Sequence, residues 1–306
     1  TSIIAGIQNK CSLFYRFLFP HPNIYYRTKK YKLEIAMILP LLLYILGFTI
    51  YPIIQTITLS FQDQYTKAFT LANYREIIGK TEFKQAFFNT IALTFISLTL
   101  EMTVGLVIAL ILRRNFRGKG LLRSLMLVPM GVPTLVSGVA MTYIFGLYGY
   151  FNALLQKLHI IEMPIDWASG GFKTLLMVSV ADMWKVTPMV ILLLLAGLES
   201  IPDEVYEASN IDGATAWQTF KYVTLPLLKP SITMALILRA IDAFRIFELV
   251  LVLAGRATPV ISTFAYDEYN NYANAYTSAA ASTILLLIIA VFIVSYLKIA
   301  GTKEER

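Results

Sequence analysis

The sequence has very few of the residues that build disulfides, metal centres and catalytic clusters. It contains one cysteine, Cys11, and two histidines, His21 and His159, which lie far apart. An internal disulfide is therefore excluded, and no metal site is expected. Charged residues are also scarce, at 15% of 306 residues against about 25% in a typical soluble domain. Because 57% of the residues are hydrophobic, this scarcity indicates a membrane protein.

Six apolar stretches are long enough to cross a bilayer as helices, which takes about 20 residues each. They are rich in Leu, Ile, Val and Phe and lie at about residues 33–61, 86–112, 121–146, 172–198, 231–254 and 279–300. The sequence therefore predicts an all-α membrane protein with six transmembrane helices and both chain ends on the same side. The first stretch exceeds the about 7–15 residues of a signal-peptide core, so a cleaved signal is not expected.

The first 32 residues form a basic and aromatic segment. This mixture suits contact with lipid headgroups, and it is equally compatible with a disordered tail. Most other Lys and Arg residues outside the spans lie between the second and third spans, between the fourth and fifth, and at the C-terminus. Because positive charge stays in the cytoplasm, we expect both termini and the loop between the fourth and fifth spans to be cytoplasmic.

That last loop, residues 199–230, is called the Glu-Ala loop below. Pro202, followed by two carboxylates, predicts the start of a helix, with Ser200 as its cap. Gly213 allows the chain to reverse into a second short helix at about 215–223. Pro226 and Pro230 are expected to close the loop before the next span.

The second short helix carries Trp217 and Phe220 on one side, where they cover this chain's own helix ends or meet a partner. The Glu-Ala loop has more carboxylates than lysines. It would therefore repel phosphate, and nucleic-acid binding is disfavoured.

Charged residues within the apolar spans point to a polar interior, because such groups usually face a bundle core or a water-filled path. They are Glu101, Asp182, Lys185, Arg239, Asp242, Arg245 and Glu248. The last four alternate in sign at steps of three, so they can neutralise one another along one helix. The alternative is that they line a translocation path.

In that second interpretation, Asp242 and Arg245 are predicted to face a cavity, and Asp182 and Lys185 are predicted to pair. A neutral sugar suits such a site, because hydroxyls bind carboxylates while a ring such as Trp184 covers the apolar sugar face. Proline residues at 129, 133 and 188 predict bends in the third and fourth spans, as expected around a cavity or at a packing kink.

The loop carries a long motif: Glu207, Ala208, Asp212, Gly213 and Ala214, with Leu225-Pro226 twelve residues after the glycine. It resembles the cytoplasmic loop of permease subunits of binding-protein-dependent ABC importers. Ser209 replaces the usual second alanine. The resemblance implies a type I importer permease fold with a helix-turn-helix coupling loop. It also implies that Glu207, Ala208, Ser209, Asp212, Gly213 and Ala214 couple the chain to an ATP-hydrolysing subunit.

Further segments are similar to the carbohydrate-uptake branch, specifically the maltose-type first permease. They are Asn89-Thr90, Val128-Pro129 with Pro133, and the run from Phe247 to Pro259. The glycine-rich sequence usual before that last proline is absent here. By family position, Thr134 and Asp182 fall where such permeases contact sugar.

The resemblance also implies partners and a location. They are a second permease in a heterodimer, two ATP-binding subunits and an extracytoplasmic solute-binding protein, in a bacterial or archaeal inner membrane. ATP and magnesium would bind the partner subunits, so this chain is expected to hold no cofactor and to be no enzyme. Its own Gly79-Lys80-Thr81 lacks the earlier glycine of a phosphate loop, since Tyr74 stands there.

Two alternatives belong to other classes of function. An ion-coupled secondary transporter would use Glu101, Asp182 and Asp242 as proton sites, but the sequence shows no inverted repeat and such a transporter needs no docking loop. A membrane-embedded enzyme ranks last, because no nucleophile-histidine set or catalytic carboxylate pair is evident.

Overall fold

The computed structural model describes residues 31–301, and the prediction for the N-terminal segment lies almost wholly outside them. The described residues divide into two units, one up to Thr58 and one from Leu59. Within the described residues there are fourteen α-helices. In chain order, α1 to α7 are Lys32–Ile45, Tyr51–Ser60, Ala72–Gly79, Thr81–Arg113, Lys119–Gly131, Thr134–Phe145 and Tyr150–Lys157. The remaining helices, α8 to α14, are Phe172–Glu199, Asp203–Ile211, Ala216–Thr219, Leu225–Phe244, Glu248–Leu253, Ile261–Asn270 and Ala275–Gly301.

Six helical stretches in the described part are long and apolar enough to cross a membrane, as predicted. They are Leu33–Ser60, Thr81–Arg113, Thr134–Lys157, Phe172–Glu199, Ala216–Phe244 and Ala275–Ile299. A short helix, α3, follows the first span. The second, fourth and sixth spans are continuous α-helices. The third and fifth differ from the expectation.

The third span is not one helix over residues 121–146. Helix α5 ends at Gly131, and α6 begins at Thr134. Between them, Val132 is extended with ψ of 130°. The cause is Pro133, which has no N–H and disfavours the helical conformation of the residue before it. The predicted bend is therefore a complete break in the helix.

The fifth span begins earlier and ends earlier than expected. Pro226 and Pro230 do not close the Glu-Ala loop, because both lie within helix α11. Pro226 is tolerated in the first turn, where its missing N–H would have no helical partner. The helix then stops at Phe244, and a separate short helix, α12, starts at Glu248.

Two π-helical segments, Leu46–Ile50 and Phe220–Thr224, each end two residues before a proline. In each, the next N–H bonds five residues back: Tyr51 to the Leu46 carbonyl, and Leu225 to the Phe220 carbonyl. A proline ring clashes with the carbonyl four residues earlier. The wider π turn moves that carbonyl away, so the helices continue through Pro52 and Pro226.

Helix α4 is the centre of the second unit. Its buried residues contribute to three apolar clusters: Phe83 with Phe264 of α13, Leu93 with Val178 of α8, and Leu112 with Leu194 of α8. Gly105 lets α4 approach α8 closely, since a Cβ there would lie 2.6 Å from Cγ1 of Val190. One side of the central helix is thus packed against its neighbours at several levels along its length.

Two segments singled out in the sequence meet on this central helix. The Asn89 side chain donates to the Pro259 carbonyl at 2.8 Å, and the hydroxyl of Thr90 accepts from the Ile261 N–H at 2.9 Å. Both bonds satisfy backbone groups at the start of α13 that would otherwise be buried without partners. The asparagine and threonine therefore fix the segment after the fifth span onto α4.

Candidate functional site

The first helix of the Glu-Ala loop begins at Asp203, with Pro202 in the N-cap position. Ser200 is not the cap, because its hydroxyl donates to the Gly197 carbonyl at 2.7 Å. The helix start instead depends on Asp203 and Glu204, whose carboxylates face the positive end of the helix dipole. The predicted helix is present, while its predicted cap was wrong.

Gly213 reverses the chain at the end of this helix with φ of +71°. The N–H of Ala214 bonds to the Ser209 carbonyl and the N–H of Gly213 to the Asn210 carbonyl, each at 3.1 Å. This pair of bonds is the Schellman motif, which requires a left-handed residue where glycine sits. A capping box between Thr215 and Gln218 then starts α10. The motif glycine is therefore explained by backbone geometry.

The Glu-Ala loop contacts the neighbouring helix ends through ion pairs and one cation–π contact. The Arg113 guanidinium at the end of α4 lies 3.2 Å from the Asp203 carboxylate and 3.7 Å from the centre of the Tyr206 ring. Glu199 pairs with Arg123 and, at 3.7 Å, with Lys119 of α5. Movement of this loop would therefore be transmitted to both helices.

Inside the loop, the hydroxyls of Ser209 and Thr219 are 2.7 Å apart and link its two short helices. The Trp217 and Phe220 rings lie 5.5 Å apart, as their spacing predicted, but Trp217 remains exposed. Ser209, which replaces the usual alanine, is therefore a buried structural contact.

One side of α9 faces outwards without any partner among the described residues. Glu204, Glu207 and Ile211 follow one another at helical spacing along it, and all three are exposed. Ile211 is 86% exposed. Ala208, Asp212 and Gly213 are exposed as well. This exposed surface therefore carries both carboxylates and an apolar side chain.

A second polar site lies among the spans, where Arg239 of α11 reaches three carboxylates. Its guanidinium is 2.8 Å from Glu101 of α4, 3.5 Å from Asp182 of α8 and 3.3 Å from Asp242 of its own helix. Arg239 is only 3% exposed, and Glu101 and Asp182 are also buried. This ion cluster joins three helices, and its central residue was not among the predicted site residues.

The outer end of the ion cluster is more open. Asp242 also pairs with Arg245 at 3.0 Å, and both side chains are exposed. That they face a cavity stays a prediction. No pair between Arg245 and Glu248 is among the contacts that the structure describes, since the helix breaks between them. The predicted alternating series therefore holds for two of its three steps.

Asp182 and Lys185 do not pair as predicted. Asp182 faces Arg239, while the Lys185 ammonium donates to the Val132 carbonyl at 2.8 Å. That carbonyl lies at the break in the third span, two residues before the half-buried Thr134. Trp184, between the two charges, is 39% exposed. The structure thus brings Lys185 and Thr134 to the same break.

A further buried carboxylate, Glu268 of α13, lies at the end of α4 that is remote from the Glu-Ala loop. It pairs with Lys80 at 2.8 Å and accepts from the Thr277 hydroxyl at 2.6 Å. Burial lowers the pKa of Lys80, but its bonds to Glu268 and Glu76 outweigh that effect, so the pKa is raised above its ordinary value. Because Lys80 and Glu268 are far apart in the sequence, no sequence pattern indicated this contact.

Within residues 31–301, no group of three or more His, Cys, Asp or Glu side chains could hold a metal ion. Residues 101–299 match the model of a protein family described as "Binding-protein-dependent transport system inner membrane component". The chain belongs to this family. It is thus a multi-pass component of a transport system, and the match gives no support to the ion-coupled alternative.

Related sequences match nearly the whole permease. The trehalose/maltose transport system permease protein MalF of Thermococcus litoralis is 39% identical over 91% of this chain and 97% of its own. The trehalose transport system permease protein SugA of Mycobacterium tuberculosis is 33% identical over 90% of this chain and 91% of its own. The resemblance to the carbohydrate-uptake branch is confirmed by these relatives.

A solved structure confirms the fold of the permease. A chain of a bacterial ABC transporter that imports the acidic polysaccharide alginate superposes with a TM-score of 0.81 at 20% identity, covering 92% of this chain and 99% of that one. The predicted type I importer permease fold is therefore confirmed.

Proposed function

We propose that this permease forms half of the translocation path of an ATP-driven importer for a di- or oligosaccharide. The names of its relatives, trehalose/maltose and trehalose permeases, support a sugar as the solute. A second permease, two ATP-binding subunits and an extracytoplasmic solute-binding protein complete the complex. ATP and magnesium bind the partner subunits. Both termini and the Glu-Ala loop face the cytoplasm, which the distribution of Lys and Arg supports.

The observation that carries this proposal is the exposed surface of α9 with Glu207 and Ile211. Because the loop is fixed to α4 and α5 through Arg113 and Glu199, a partner that docks on this surface can move those helices. Closure of the ATP-binding subunits would then switch the path from one side of the membrane to the other. Coupling therefore depends on Glu207, Ala208, Ser209, Asp212, Gly213 and Ala214.

The solute path lies at the open end of the ion cluster. Asp242 and Arg245 are exposed there, next to the buried Asp182 and Arg239. Carboxylate and guanidinium groups bind sugar hydroxyls, and Trp184 can cover an apolar sugar face. We assign Thr134, Asp182, Trp184, Lys185, Asp242 and Arg245 to this path.

The test is the substitution Glu207→Arg, which reverses the charge on the exposed side of α9. We expect the variant to insert and fold normally, because Glu207 is exposed and has no ion pair in the described part of the chain. It should lose the co-purifying ATP-binding subunit and uptake of radiolabelled trehalose and maltose.

Glu162→Arg is the matched control, because Glu162 is an exposed carboxylate that lies outside the Glu-Ala loop and has no ion pair among the described residues. It should retain the ATP-binding subunit and most of the uptake. If Glu207→Arg binds the ATP-binding subunit and takes up sugar as well as wild type does, the coupling proposal is overturned. Uptake that persists in membranes without any ATP-binding subunit would overturn the importer assignment itself.

A further inference from the structure

A groove of about 800 Å³ separates the last turns of α4 from the Glu-Ala loop. Its walls are apolar and aromatic, and its rim is cationic. The residues that matter here are Val107, Leu110, Arg113, Arg114, Trp217 and Phe220. It lies on a different side of α9 from the exposed Glu207, because its α9 residues are Asp203, Tyr206 and Asn210.

The two arginines at the rim differ in their contacts. Arg113 is neutralised by Asp203 and stacks on Tyr206. Arg114 is exposed and has no ion pair among the residues that the structure describes. Asp203 is the one carboxylate in the groove lining against two guanidiniums. The groove therefore has one uncompensated positive charge, which would attract an anionic group.

The position of the groove along α4 indicates what kind of anion would enter it. Arg113 is the last residue of a membrane span, so its side chain lies near the headgroups. Val107 is 52% exposed and lies about two turns deeper, at hydrocarbon depth. Trp217 at the rim is a residue type enriched at the membrane interface. The apolar wall thus matches the acyl chain of a lipid, and the cationic rim matches the phosphate of the same lipid.

We propose that this groove is a binding site for an anionic phospholipid. One acyl chain lies along Val107 and Leu110, and the phosphate pairs with Arg114. A soluble peptide in an extended conformation fits less well, because its backbone N–H and C=O groups would lack hydrogen-bond partners at hydrocarbon depth. The bound lipid would contact α4 and the Glu-Ala loop together, and so would support the attachment that Arg113 provides.

The test measures lipid retained by the purified full-length chain. The chain is reconstituted in vesicles of equal parts phosphatidylglycerol and phosphatidylcholine, extracted in mild detergent, and analysed by mass spectrometry. The wild-type chain should retain phosphatidylglycerol in preference to phosphatidylcholine. Arg114→Gln should reduce that preference about fivefold, the factor that corresponds to one arginine near an anionic surface.

Arg117→Gln is the matched control, since Arg117 is exposed on the same connection but does not line the groove. It should leave retention unchanged. Val107→Trp, which fills the groove at an exposed position, should reduce retention even with both arginines present. Equal effects of Arg114→Gln and Arg117→Gln, or no preference in wild type, would overturn the proposal. Displacement by inorganic phosphate alone would show a free-phosphate site and would overturn it as well.

Discussion

The ion cluster in the spans and the exposed surface of the Glu-Ala loop use charge in opposite ways. In the cluster, Arg239 is buried and reaches Glu101, Asp182 and Asp242. On the loop, Glu207 is exposed and has no ion pair within the described residues. The buried charges of the cluster are thus paired within the chain, whereas Glu207 on α9 is left for a molecule outside it.

This difference separates stability from function. Removing one partner of a buried ion pair leaves an uncompensated charge and typically costs about 3–5 kcal/mol. Removing an exposed charge typically costs about 0–1 kcal/mol. Substitutions in the ion cluster should therefore act first on folding, and those on α9 on association with a partner.

The largest effect is expected from Arg239→Met. It leaves Glu101 and Asp182 buried without a cation, so the free energy of unfolding should fall by about 3–5 kcal/mol. Unfolding of the purified protein in detergent, followed by circular dichroism during a denaturant titration, measures this change. An unfolding transition equal to that of wild type would show that the cluster does not hold the three helices together.

The double variant Glu101→Gln with Arg239→Met is the control for that experiment. It removes the strongest pair without leaving Glu101 as an unpaired charge, so it should be less destabilised than the single variant. If it is equally destabilised, the loss comes from packing around the methionine and not from uncompensated charge.

A smaller effect is expected from Gly213→Ala. A Cβ there meets no neighbouring atom, but φ of +71° strains any other residue by about 1–2 kcal/mol. Gly118→Ala is a matched control, with φ of +86° and equally free space on another connection. Both should lower stability alike, and only Gly213→Ala should lower sugar uptake and the associated ATPase activity.

Equal loss of uptake in these two alanine variants would mean that the strain acts through general folding. The turn at Gly213 would then have no special part in coupling. Unchanged uptake in Gly213→Ala, with the same loss of stability, would show that the loop docks correctly in a distorted turn.

Much of the fold could be predicted from the sequence because hydropathy and proline chemistry are local properties. The six spans, the helix-turn-helix and the turn at Gly213 follow from such signals. The complete breaks after Gly131 and Phe244 were not predicted, although Pro133 explains the first. A uniformly apolar composition hides where a membrane helix stops, since its backbone bonds are re-satisfied by neighbours that the sequence does not specify.

The ion cluster was predicted only in part for the same reason. Spacing along one helix favoured the pair of Arg239 with Asp242, but the closer contact is with Glu101, 138 residues away. One signal was present: Glu101 is the one charge near the middle of its span and therefore needed a cation from another helix. The predicted pair of Asp182 and Lys185 was wrong because each of these side chains bonds to a different part of the chain.

The smallest change in stability, and the sharpest test of the solute path, is expected from Arg245→Gln. Its side chain is 63% exposed and pairs with the half-exposed Asp242, so the free energy of unfolding should change by no more than about 1 kcal/mol. If Arg245 binds sugar hydroxyls, the KM for uptake should rise while the amount of assembled complex stays constant. Arg256→Gln is the matched control, because Arg256 is a similarly exposed arginine paired with Asp267 outside the spans. An unchanged KM in Arg245→Gln would remove this residue from the path and leave the Asp242–Arg245 pair as the solvated end of a structural ion cluster.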